Sequence, residues 1–413
     1  MSLQTAAPES VGMSTQRLGR IGTVMQRYVD DGAIRGASTM VLRRGKVAHA
    51  ELFGHRDAEA GLEMTADTIF RIYSMTKPIV STALMLLHEE GAFQLEDPVA
   101  KFLPAFGTTQ VLGADGALVP QARPMEVRDL LTHTSGLTYD FMEDTPVGQM
   151  YRDARIMNDA SRTLEQTIDA LAEIPLATQP GQRWHYSVGI DVAARLIEVL
   201  SGETLGAFLF ERVFEPLGMV DTGFGVADSE LGRLSAMYGL PDLVGENHGI
   251  TQLVEAALTG FNERIDVSAT YPTSTPEVFM RGGLGLFSTT GDYARFTQML
   301  LNNGRLDGTR IVGRKTLELM HANHLPAELM PWELLGRDNG GLGFGLGSRV
   351  MMDVAASAGP GSVGEYGWAG AAKTYYWVDP AEELVGIFMA QYMTGVESPD
   401  RVMRSLVYQA IDD

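Results

Sequence analysis

The residues best suited to chemistry in this chain stand in the stretch YSMTKPIVSTALMLLHEEGAF, residues 73–93. Ser74 and Lys77 are three positions apart, so on a helix the two side chains share a face and can meet. A serine hydroxyl becomes a nucleophile when a base takes its proton, and a lysine amine in a water-poor setting can be that base. The spacing therefore predicts a serine nucleophile beside its base, although a capping serine followed by a surface lysine gives the same S-x-x-K pattern.

The start of the predicted helix also supplies a place for negative charge. Backbone N–H groups at a helix N-terminus have no partner within the helix, so the N–H of Ser74 is a candidate donor to an oxyanion. Pro78 stands in the first turn, where its missing N–H costs nothing. Both features favour a helix that begins next to Ser74.

Two further segments contain groups that suit the same chemistry. WHYSVGIDVAARLIEVLSG places Tyr186 and Ser187 at a loop-to-helix junction, where a phenol beside a lysine can hold or pass a proton. GWAGAAKTYYWV has small residues around Gly370, which let a ligand approach the strand and leave the N–H of Ala371 as a second oxyanion donor. Each segment alone also fits a packed aromatic residue or a bend in a strand.

Together these segments resemble a known group of proteins. S-x-x-K at 74–77, Tyr-Ser-Val at 186–188 and Trp-Ala-Gly at 368–370 resemble the serine β-lactamase and penicillin-binding-protein superfamily, and within it the family VIII carboxylesterases. The phrases VRDLLTHTSGL and RVFEPLGMVDTGF are similar to the same proteins. The resemblance therefore extends over nearly the whole chain.

The resemblance implies a reaction through an acyl-enzyme. Lys77 and Tyr186 together accept the proton of Ser74, whose Oγ attacks an ester carbonyl, and the N–H groups of Ser74 and Ala371 hold the oxyanion. Tyr186 then protonates the leaving alcohol, and water activated by the same pair restores Ser74. An alcohol or amine in place of water would make the same site an acyltransferase. No cofactor and no metal are expected.

Departures from the family pattern indicate the substrate class. Class C β-lactamases have Lys-Thr-Gly where this chain has Trp-Ala-Gly, and that lysine recognises the carboxylate of a β-lactam. An indole offers instead an apolar wall for uncharged esters. We therefore predict a carboxylesterase for short- to medium-chain esters. Its predicted substrate-binding residues are Ser187, Trp368, Ala369 and Gly370.

Two other functions stay open at this point. A β-lactamase or D-amino-acid peptidase needs a cation for the substrate carboxylate, which Arg349 or Lys373 would supply. The third hypothesis is a non-catalytic ligand-binding or scaffold protein. Ser74, Lys77 and Tyr186 are all present, which argues against it, because a site that has lost its activity has no physical reason to keep a lysine beside a serine. Turnover of a chromogenic cephalosporin would favour the β-lactamase over the esterase.

The elements around these segments predict an α+β architecture. Residues 14–32 have the apolar spacing of an amphipathic helix, and GASTMVLRRGKVAHAELFG has two β-rich runs around a tight turn. From about residue 341 the chain is β-like again, through EYGWAGAA and TYYWVDPAEELVGIFMAQYM, before the helix SPDRVMRSLVYQAID. Helical patterns such as TLEQTIDALAEI fill the middle of the chain.

This order predicts a sheet to which both ends of the chain contribute, and the resemblance implies that the fold is β-lactamase/transpeptidase-like. An antiparallel sheet is built from N- and C-terminal segments and flanked by helices, and a mostly helical lobe is inserted between them. The predicted boundaries are residues 1–80 and 336–413 for the sheet domain and residues 81–335 for the lobe. The active site is expected between the two.

Composition limits the partners and the chemistry. A net charge of −20 and a pI near 4.8 disfavour nucleic acid and anionic membranes as partners. The expected partner is the small-molecule ester that the resemblance implies. The absence of cysteine excludes disulfides and thiol catalysis. The first residues have no signal-peptide pattern, so a cytoplasmic location is expected, and the oligomeric state is left open.

Several patterns resemble other kinds of site. HYSVG lacks the first glycine of G-x-S-x-G, so Ser187 is not predicted as a nucleophile. GLGFGLG lacks the Lys-Ser/Thr of a phosphate-binding loop and is predicted as a strand. His321 and His324 are predicted as a surface or loop pair rather than metal ligands, and His133 as a structural hydrogen-bonding residue.

Overall fold

An antiparallel sheet of eight strands forms the frame of the fold. The structure, a computed structural model, describes residues 3–142, 145–239, 263–393 and 398–413, and also residues 251, 254, 255 and 258. The strands of the sheet are β1 (Gly36–Arg43), β2 (Lys46–Asp57), β3 (Leu62–Glu63), β4 (Leu342–Phe344), β5 (Arg349–Met351), β6 (Tyr366–Gly370), β7 (Thr374–Asp379) and β8 (Leu384–Ala390). Their order across the sheet is β4-β5-β6-β7-β8-β1-β2-β3.

The N- and C-terminal segments meet in the middle of this sheet, as the sequence predicts. β1 pairs antiparallel with β8, with Thr39 opposite Phe388. Both predicted hairpins form, β1–β2 around RRGK and β7–β8 around DPAEE. In the first turn Arg44 and Gly45 have φ values of +52° and +74°, which a two-residue hairpin turn of this kind requires. The predicted fold class is confirmed.

Helices cover the sheet and build a lobe beside it. They are α1 (Thr15–Asp30), α2 (Thr76–Glu89), α3 (Val127–Leu131), α4 (Pro146–Asp153), α5 (Leu164–Ala172), α6 (Gly189–Ser201), α7 (Leu205–Leu209), α8 (Glu215–Leu217), α9 (Thr290–Leu301), α10 (Arg314–Met320) and α11 (Pro399–Tyr408). Short 3₁₀ helices lie at Pro8–Val11, Tyr73–Met75, Val99–Lys101, Pro104–Gly107, Asp228–Arg233 and Ala327–Leu329, and a π-helical segment, Phe210–Phe214, joins α7 to α8. Short strand pairs join Phe70–Arg71 to Phe287–Ser288, Val111–Leu112 to Leu118–Val119, Arg305–Leu306 to Thr309–Arg310, Glu333–Leu334 to Arg337–Asp338, and Met237–Gly239 to both Arg264–Ile265 and Tyr392–Met393.

The two faces of the sheet pack against different layers. α1 and α11 cover one face, where Trp377 and Phe388 join apolar residues of both helices. α9 packs on the other face, where Tyr376 and Ile387 belong to the larger core shared with the helical lobe. Neighbouring residues of a strand point to opposite faces, which explains why adjacent positions enter different cores.

α2 lies at the centre of the molecule and packs against α6. Every side chain from Thr76 to Leu87 is buried, which is the behaviour of a helix that is apolar on all sides. The helix that carries Lys77 is therefore fixed by the core rather than exposed on a surface. In the part of the chain that the structure describes, no helix has the length and apolar character to cross a membrane.

Two segments differ from the sequence-based expectations. The segment GLGFGLG is predicted as one strand. In the structure β4 ends within this segment, at Phe344, and the chain then turns into β5. Gly347 has φ of +92° and lies so close to α2 that an added Cβ would be 2.2 Å from Ser81 Oγ, which explains the turn. α9 falls within the predicted lobe, residues 81–335, yet packs on β1, β7 and β8. The boundaries between sheet domain and lobe stay a prediction.

Candidate active site

Ser74 lies in a sharp turn between a short strand and α2. The turn is the 3₁₀ helix Tyr73–Met75, and Tyr73 has φ of +44°, a strained conformation for a bulky residue. The Tyr73 ring packs 4.9 Å from that of Tyr271, and the Tyr293 hydroxyl of α9 donates to the Met75 carbonyl over 3.0 Å. Packing on both sides therefore holds Ser74 at the start of α2.

The Lys77 amino group reaches Ser74, as the i, i+3 spacing predicts. Lys77 Nζ donates to Ser74 Oγ over 3.1 Å and to the Gly283 carbonyl over 2.6 Å. The Lys77 side chain is 1% exposed, whereas Ser74 is half-buried. The pair thus combines a sheltered amine with a hydroxyl that solvent or substrate can reach.

Tyr186 covers the lysine from the other side. Its ring centroid lies 4.6 Å from Lys77 Nζ, and its hydroxyl accepts a hydrogen bond from Trp368 Nε1 over 3.2 Å. In the described part of the chain no hydrogen bond joins the Tyr186 hydroxyl to Ser74 Oγ. The structure brings Ser74, Lys77 and Tyr186 together with Trp368. The catalytic roles of the first three and the substrate-binding role of Trp368 stay predictions.

The end of the β6–β7 hairpin touches the turn that contains Ser74. A Cβ on Gly370 would lie 2.4 Å from the Ile72 carbonyl oxygen, so a glycine is needed for this close approach. Thr374 Oγ1 donates to the same carbonyl over 3.2 Å. The hairpin thereby brings exposed Ala369 and half-buried Ala371 to the turn that holds Ser74. The use of the Ser74 and Ala371 N–H groups as an oxyanion hole stays a prediction.

Sequence reasoning missed most of an aromatic wall beside Trp368. We define the aromatic wall as Trp184, Trp332, Phe344 and Trp368. The rings of Trp184 and Trp332 lie 4.4 Å apart, and Phe344 packs edge-on against Trp368 at 5.2 Å. Trp184 stands two residues before Tyr186, which was the available signal, whereas Trp332 comes from a distant segment. The wall makes this side of the site apolar.

A buried carboxylate below the lysine was also missed. Asp191 Oδ1 accepts the Gly283 N–H over 3.1 Å, and burial raises the pKa of Asp191 while the charge of Lys77 opposes that rise. A Cβ on Gly283 would lie 2.5 Å from Asp191 Oδ2 and 2.6 Å from the Tyr139 hydroxyl. Burial raises the pKa of Tyr139 well above its ordinary value, so this phenol is neutral. The sequence signal for Asp191 was its place in the apolar run SVGIDVAARLIEVL, where an acidic residue is expected to be buried and to need a partner.

Ser187 is placed differently from the prediction. It is fully buried, its Oγ accepts the Gly189 N–H over 3.2 Å, and it lies 3.4 Å from His133 Nδ1. These contacts favour a structural role at the start of α6 over the predicted contact with substrate. Burial, with the charge of Lys77, lowers the pKa of His133 well below its ordinary value, so His133 is neutral.

The carboxylate-binding role considered for Arg349 does not fit its surroundings. Arg349 is buried and its Nη2 donates to Glu365 Oε1 over 2.9 Å and to the Tyr375 hydroxyl over 2.5 Å.

His321 stacks on Tyr366 with ring centroids 3.4 Å apart. Among the described residues no group of three or more His, Asp or Glu side chains is arranged to hold a metal ion.

Comparison with known proteins identifies the family. Residues 21–408 match the family described as beta-lactamase. The chain belongs to the beta-lactamase family. Protein Rv1367c of Mycobacterium tuberculosis is 36% identical over 376 residues, which cover 89% of this chain and 88% of that protein.

The proteins that resemble this chain include an esterase. Esterase EstB of Burkholderia gladioli is 30% identical over 380 residues, covering 88% of this chain and 87% of EstB. The solved structure of EstCE1, a hydrolase with promiscuous acyltransferase activity, has a TM-score of 0.76 and 26% identity, and the match covers 95% of this chain and 99% of EstCE1. The superfamily resemblance inferred from the three sequence motifs is confirmed. The chain is a beta-lactamase-fold enzyme of the serine hydrolase type.

Proposed function

We propose that this protein is a carboxylesterase that cleaves short- to medium-chain esters through an acyl group on Ser74. The observation that carries the proposal is the hydrogen bond of Lys77 Nζ to Ser74 Oγ beneath the ring of Tyr186. These three groups supply a nucleophile and the means to move its proton. Similarity to esterase EstB supports the same class of reaction.

The lining of the site supports an uncharged substrate. Trp368 stands where class C β-lactamases have a lysine, and Arg349 is already paired with Glu365. A substrate carboxylate would therefore lose water beside the aromatic wall without gaining Arg349 as a partner, which costs free energy. An ester with an apolar acyl chain instead buries its surface against the wall.

In the proposed reaction the proton leaves Ser74 as its Oγ bonds to the ester carbonyl carbon. Lys77 and Tyr186 together accept this proton as the general base and acid, and the N–H groups of Ser74 and Ala371 donate hydrogen bonds to the oxygen that becomes negative. The alcohol leaves with a proton from Tyr186, and water then releases the acyl group from Ser74. Acyl transfer to an alcohol is the second candidate, which the similarity to EstCE1 favours.

The proposal is tested by initial rates with p-nitrophenyl butyrate at pH 8 for the wild type and Ser74→Ala. The expected loss is on the order of a thousandfold or more, because removal of a serine nucleophile leaves only binding and oxyanion stabilisation. Ser187→Ala is the matched control and is expected to stay within about tenfold of the wild type, since it loses a buried hydrogen bond and no reacting group. Equal rates for Ser74→Ala and the wild type would contradict the proposal.

A chromogenic cephalosporin and an added alcohol separate the alternatives. We expect weak cephalosporin turnover, and hydrolysis faster than ester formation in water. Cephalosporin turnover that exceeds ester hydrolysis would favour the β-lactamase or peptidase. A butyl ester formed faster than butyrate at modest butanol concentration would favour the acyltransferase.

A further inference from the structure

We propose that Gln391 is a positioning residue whose side-chain amide holds the backbone that leads into Ser74 in place against the turn that contains Ala371. The inference rests on the proposed function and deepens it, because these two turns carry the proposed oxyanion donors. Gln391 follows the last residue of β8 and is 4% exposed. It acts through the backbone of Arg71, and no bond of the ester forms or breaks on it.

The amide of Gln391 binds both backbone groups of Arg71. The Arg71 N–H donates to Gln391 Oε1 over 3.0 Å, and Gln391 Nε2 donates to the Arg71 carbonyl over 3.0 Å. Nε2 also donates to the Ala390 carbonyl over 2.8 Å, which fixes the orientation of the amide. One side chain therefore makes the pair of hydrogen bonds that a neighbouring strand would make with Arg71.

The strand Phe70–Arg71 needs such a partner on this side. It pairs antiparallel with Phe287–Ser288 on its other side, where the Ile72 N–H donates to the Leu286 carbonyl over 3.1 Å. Successive residues of a strand direct their N–H and C=O groups to opposite sides, so those of Arg71 face away from Phe287–Ser288. Arg71 is buried, and its backbone groups would lose their partners away from water without Gln391.

The backbone around Gln391 is bound to the β6–β7 turn. The Ala390 N–H donates to the Lys373 carbonyl over 3.2 Å, and the Tyr392 N–H donates to the Ala372 carbonyl over 3.1 Å. Ala372 and Lys373 directly follow Ala371 in the chain. Gln391 thus joins the turn that contains Ala371, through its backbone, to the segment before Ser74, through its side chain.

The consequence for the reaction is geometric. An oxyanion hole works only when both N–H donors lie about 2.7–3.1 Å from the same oxygen. Three residues separate Arg71 from Ser74, and among them Tyr73 has a strained φ of +44°, a conformation that persists only while its neighbours hold it. Loss of the Gln391 contacts would let the Ser74 turn shift relative to Ala371. Such a shift lowers kcat, whereas the apolar contacts that bind the ester change little.

The test is the variant Gln391→Met, which keeps the length of the side chain and removes both hydrogen bonds to Arg71. With p-nitrophenyl butyrate we expect kcat to fall about tenfold to a hundredfold, because a shift of about 1 Å has an effect of this size, and KM to stay within about threefold. Hydrogen–deuterium exchange measured by mass spectrometry should show the Arg71 amide exchanging at least about tenfold faster than in the wild type.

Gln298→Met is the matched control, because Gln298 is also a buried glutamine and donates to Asn302 Oδ1 at the end of α9. We expect its kcat and its Arg71 exchange to stay within about twofold of the wild type, since it leaves the contacts of Arg71 intact. Thermal unfolding of both variants measures any general loss of stability. Wild-type kcat in Gln391→Met, or an equal fall of kcat in both variants, would overturn the inference. A fall of kcat without faster exchange at Arg71 would also overturn it.

A second variant and the wild type keep the test decisive where Gln391→Met fails to fold. Gln391→Asn has an amide that is one methylene shorter and does not reach both backbone groups of Arg71, so the same fall of kcat is expected. Exchange of the Arg71 amide in the wild type as fast as that of an exposed loop would overturn the inference without any variant.

Hydrogen exchange does not depend on ester turnover, so it separates the two proposals. An inactive wild type whose Arg71 amide loses protection in Gln391→Met would overturn the esterase and leave Gln391 as the residue that holds the segment before Ser74. An active esterase whose kcat is unchanged in Gln391→Met would overturn the role of Gln391 alone.

Discussion

Among single residues, Trp368 connects the aromatic wall to Tyr186, the proposed general acid. Its Nε1–H donates to the Tyr186 hydroxyl over 3.2 Å, while its ring packs on Phe344. A donor at that hydroxyl oxygen stabilises negative charge on Tyr186 and fixes the direction of the phenol. We therefore expect Trp368 to affect the rate of the chemical step as well as binding.

The variant Trp368→Phe tests this expectation, because it keeps an aromatic ring and removes the N–H donor. A hydrogen bond to a group that gains charge is worth about 1.5–3 kcal/mol, so kcat should fall roughly tenfold to a hundredfold. Steady-state kinetics with p-nitrophenyl butyrate give kcat and KM separately. Trp332→Phe is the control, because the Trp332 Nε1–H donates to the Leu342 carbonyl instead. Equal losses of kcat in both variants would show that Trp368 acts only as part of the wall.

The sequence was informative for residues close together in the chain. Ser74 and Lys77 are one helical turn apart, so a local rule predicts that they meet. Gly283 and Asp191 come from distant segments, and no local rule joins them to Lys77. Ser187 shows that closeness in the chain is not enough to predict a shared role. It follows Tyr186 directly, but its side chain is buried and its Oγ accepts the Gly189 N–H at the start of α6.

At the scale of elements, the β6–β7 hairpin and the turn before α2 must touch for the site to exist. Gly370 permits this contact, since a Cβ there would lie 2.4 Å from the Ile72 carbonyl oxygen and 2.2 Å from Thr374 Oγ1. Thr374 Oγ1 donates to that carbonyl, so a shift of either neighbour would disturb this hydrogen bond. The hairpin would have to shift away from Ser74.

Gly370→Ala should therefore lower kcat/KM at least a hundredfold while the protein stays folded, because a shift of about 1 Å in a reacting group has an effect of this size. Circular dichroism and initial ester hydrolysis rates measure the two properties. Gly19→Ala in α1 is the control, since a Cβ at residue 19 meets nothing within 4 Å. It should keep full activity and gain about 1 kcal/mol of stability. Full activity in Gly370→Ala would contradict this account of the hairpin.

Elements with strong local patterns were predicted well, and those shaped by packing were not. The hairpin turn at Arg44 and Gly45 follows from its residues alone. The break between β4 and β5 depends on α2 pressing against Gly347, which is a contact between distant parts of the chain. The place of α9 on the sheet, rather than in the lobe, likewise depends on tertiary packing.

At the scale of the whole molecule, a buried charge cluster ties α11 to the sheet. Glu365 is fully buried and lies 2.9 Å from Arg349 Nη2 and 2.6 Å from Arg404 Nη2, and it also accepts from the Tyr408 hydroxyl over 2.7 Å. Both arginine side chains are nearly buried as well. Removal of the Glu365 charge would leave Arg349 and Arg404 buried close together without the carboxylate that both contact.

Glu365→Gln is therefore expected to lower the free energy of unfolding by about 3–5 kcal/mol. Denaturant unfolding at pH 7 measures this value. Glu318→Gln is the matched control, because Glu318 makes similar pairs with Arg314 and Lys315 on the exposed surface of α10. Its expected cost is below about 1 kcal/mol. Similar costs for the two variants would mean that the buried cluster adds no more than a surface pair.

The whole arrangement was predictable in outline because both ends of the chain are β-rich and its middle is helical. The outline does not fix how the segments meet at the site, since contacts among residues 72, 191, 283 and 370 cross most of the sequence. These contacts depend on three-dimensional packing. The motifs therefore predicted the kind of chemistry better than the surroundings that tune it.

The proposed esterase reaction depends on transfer of the acyl group to Ser74. The most direct measurement is intact and peptide mass spectrometry after a short reaction with p-nitrophenyl butyrate, quenched in acid, for the wild type and Ser74→Ala. We expect a butyryl group on the peptide that contains Ser74 in the wild type, and none on the same peptide of Ser74→Ala. A butyryl group on another residue, or the same labelling in both proteins, would contradict it.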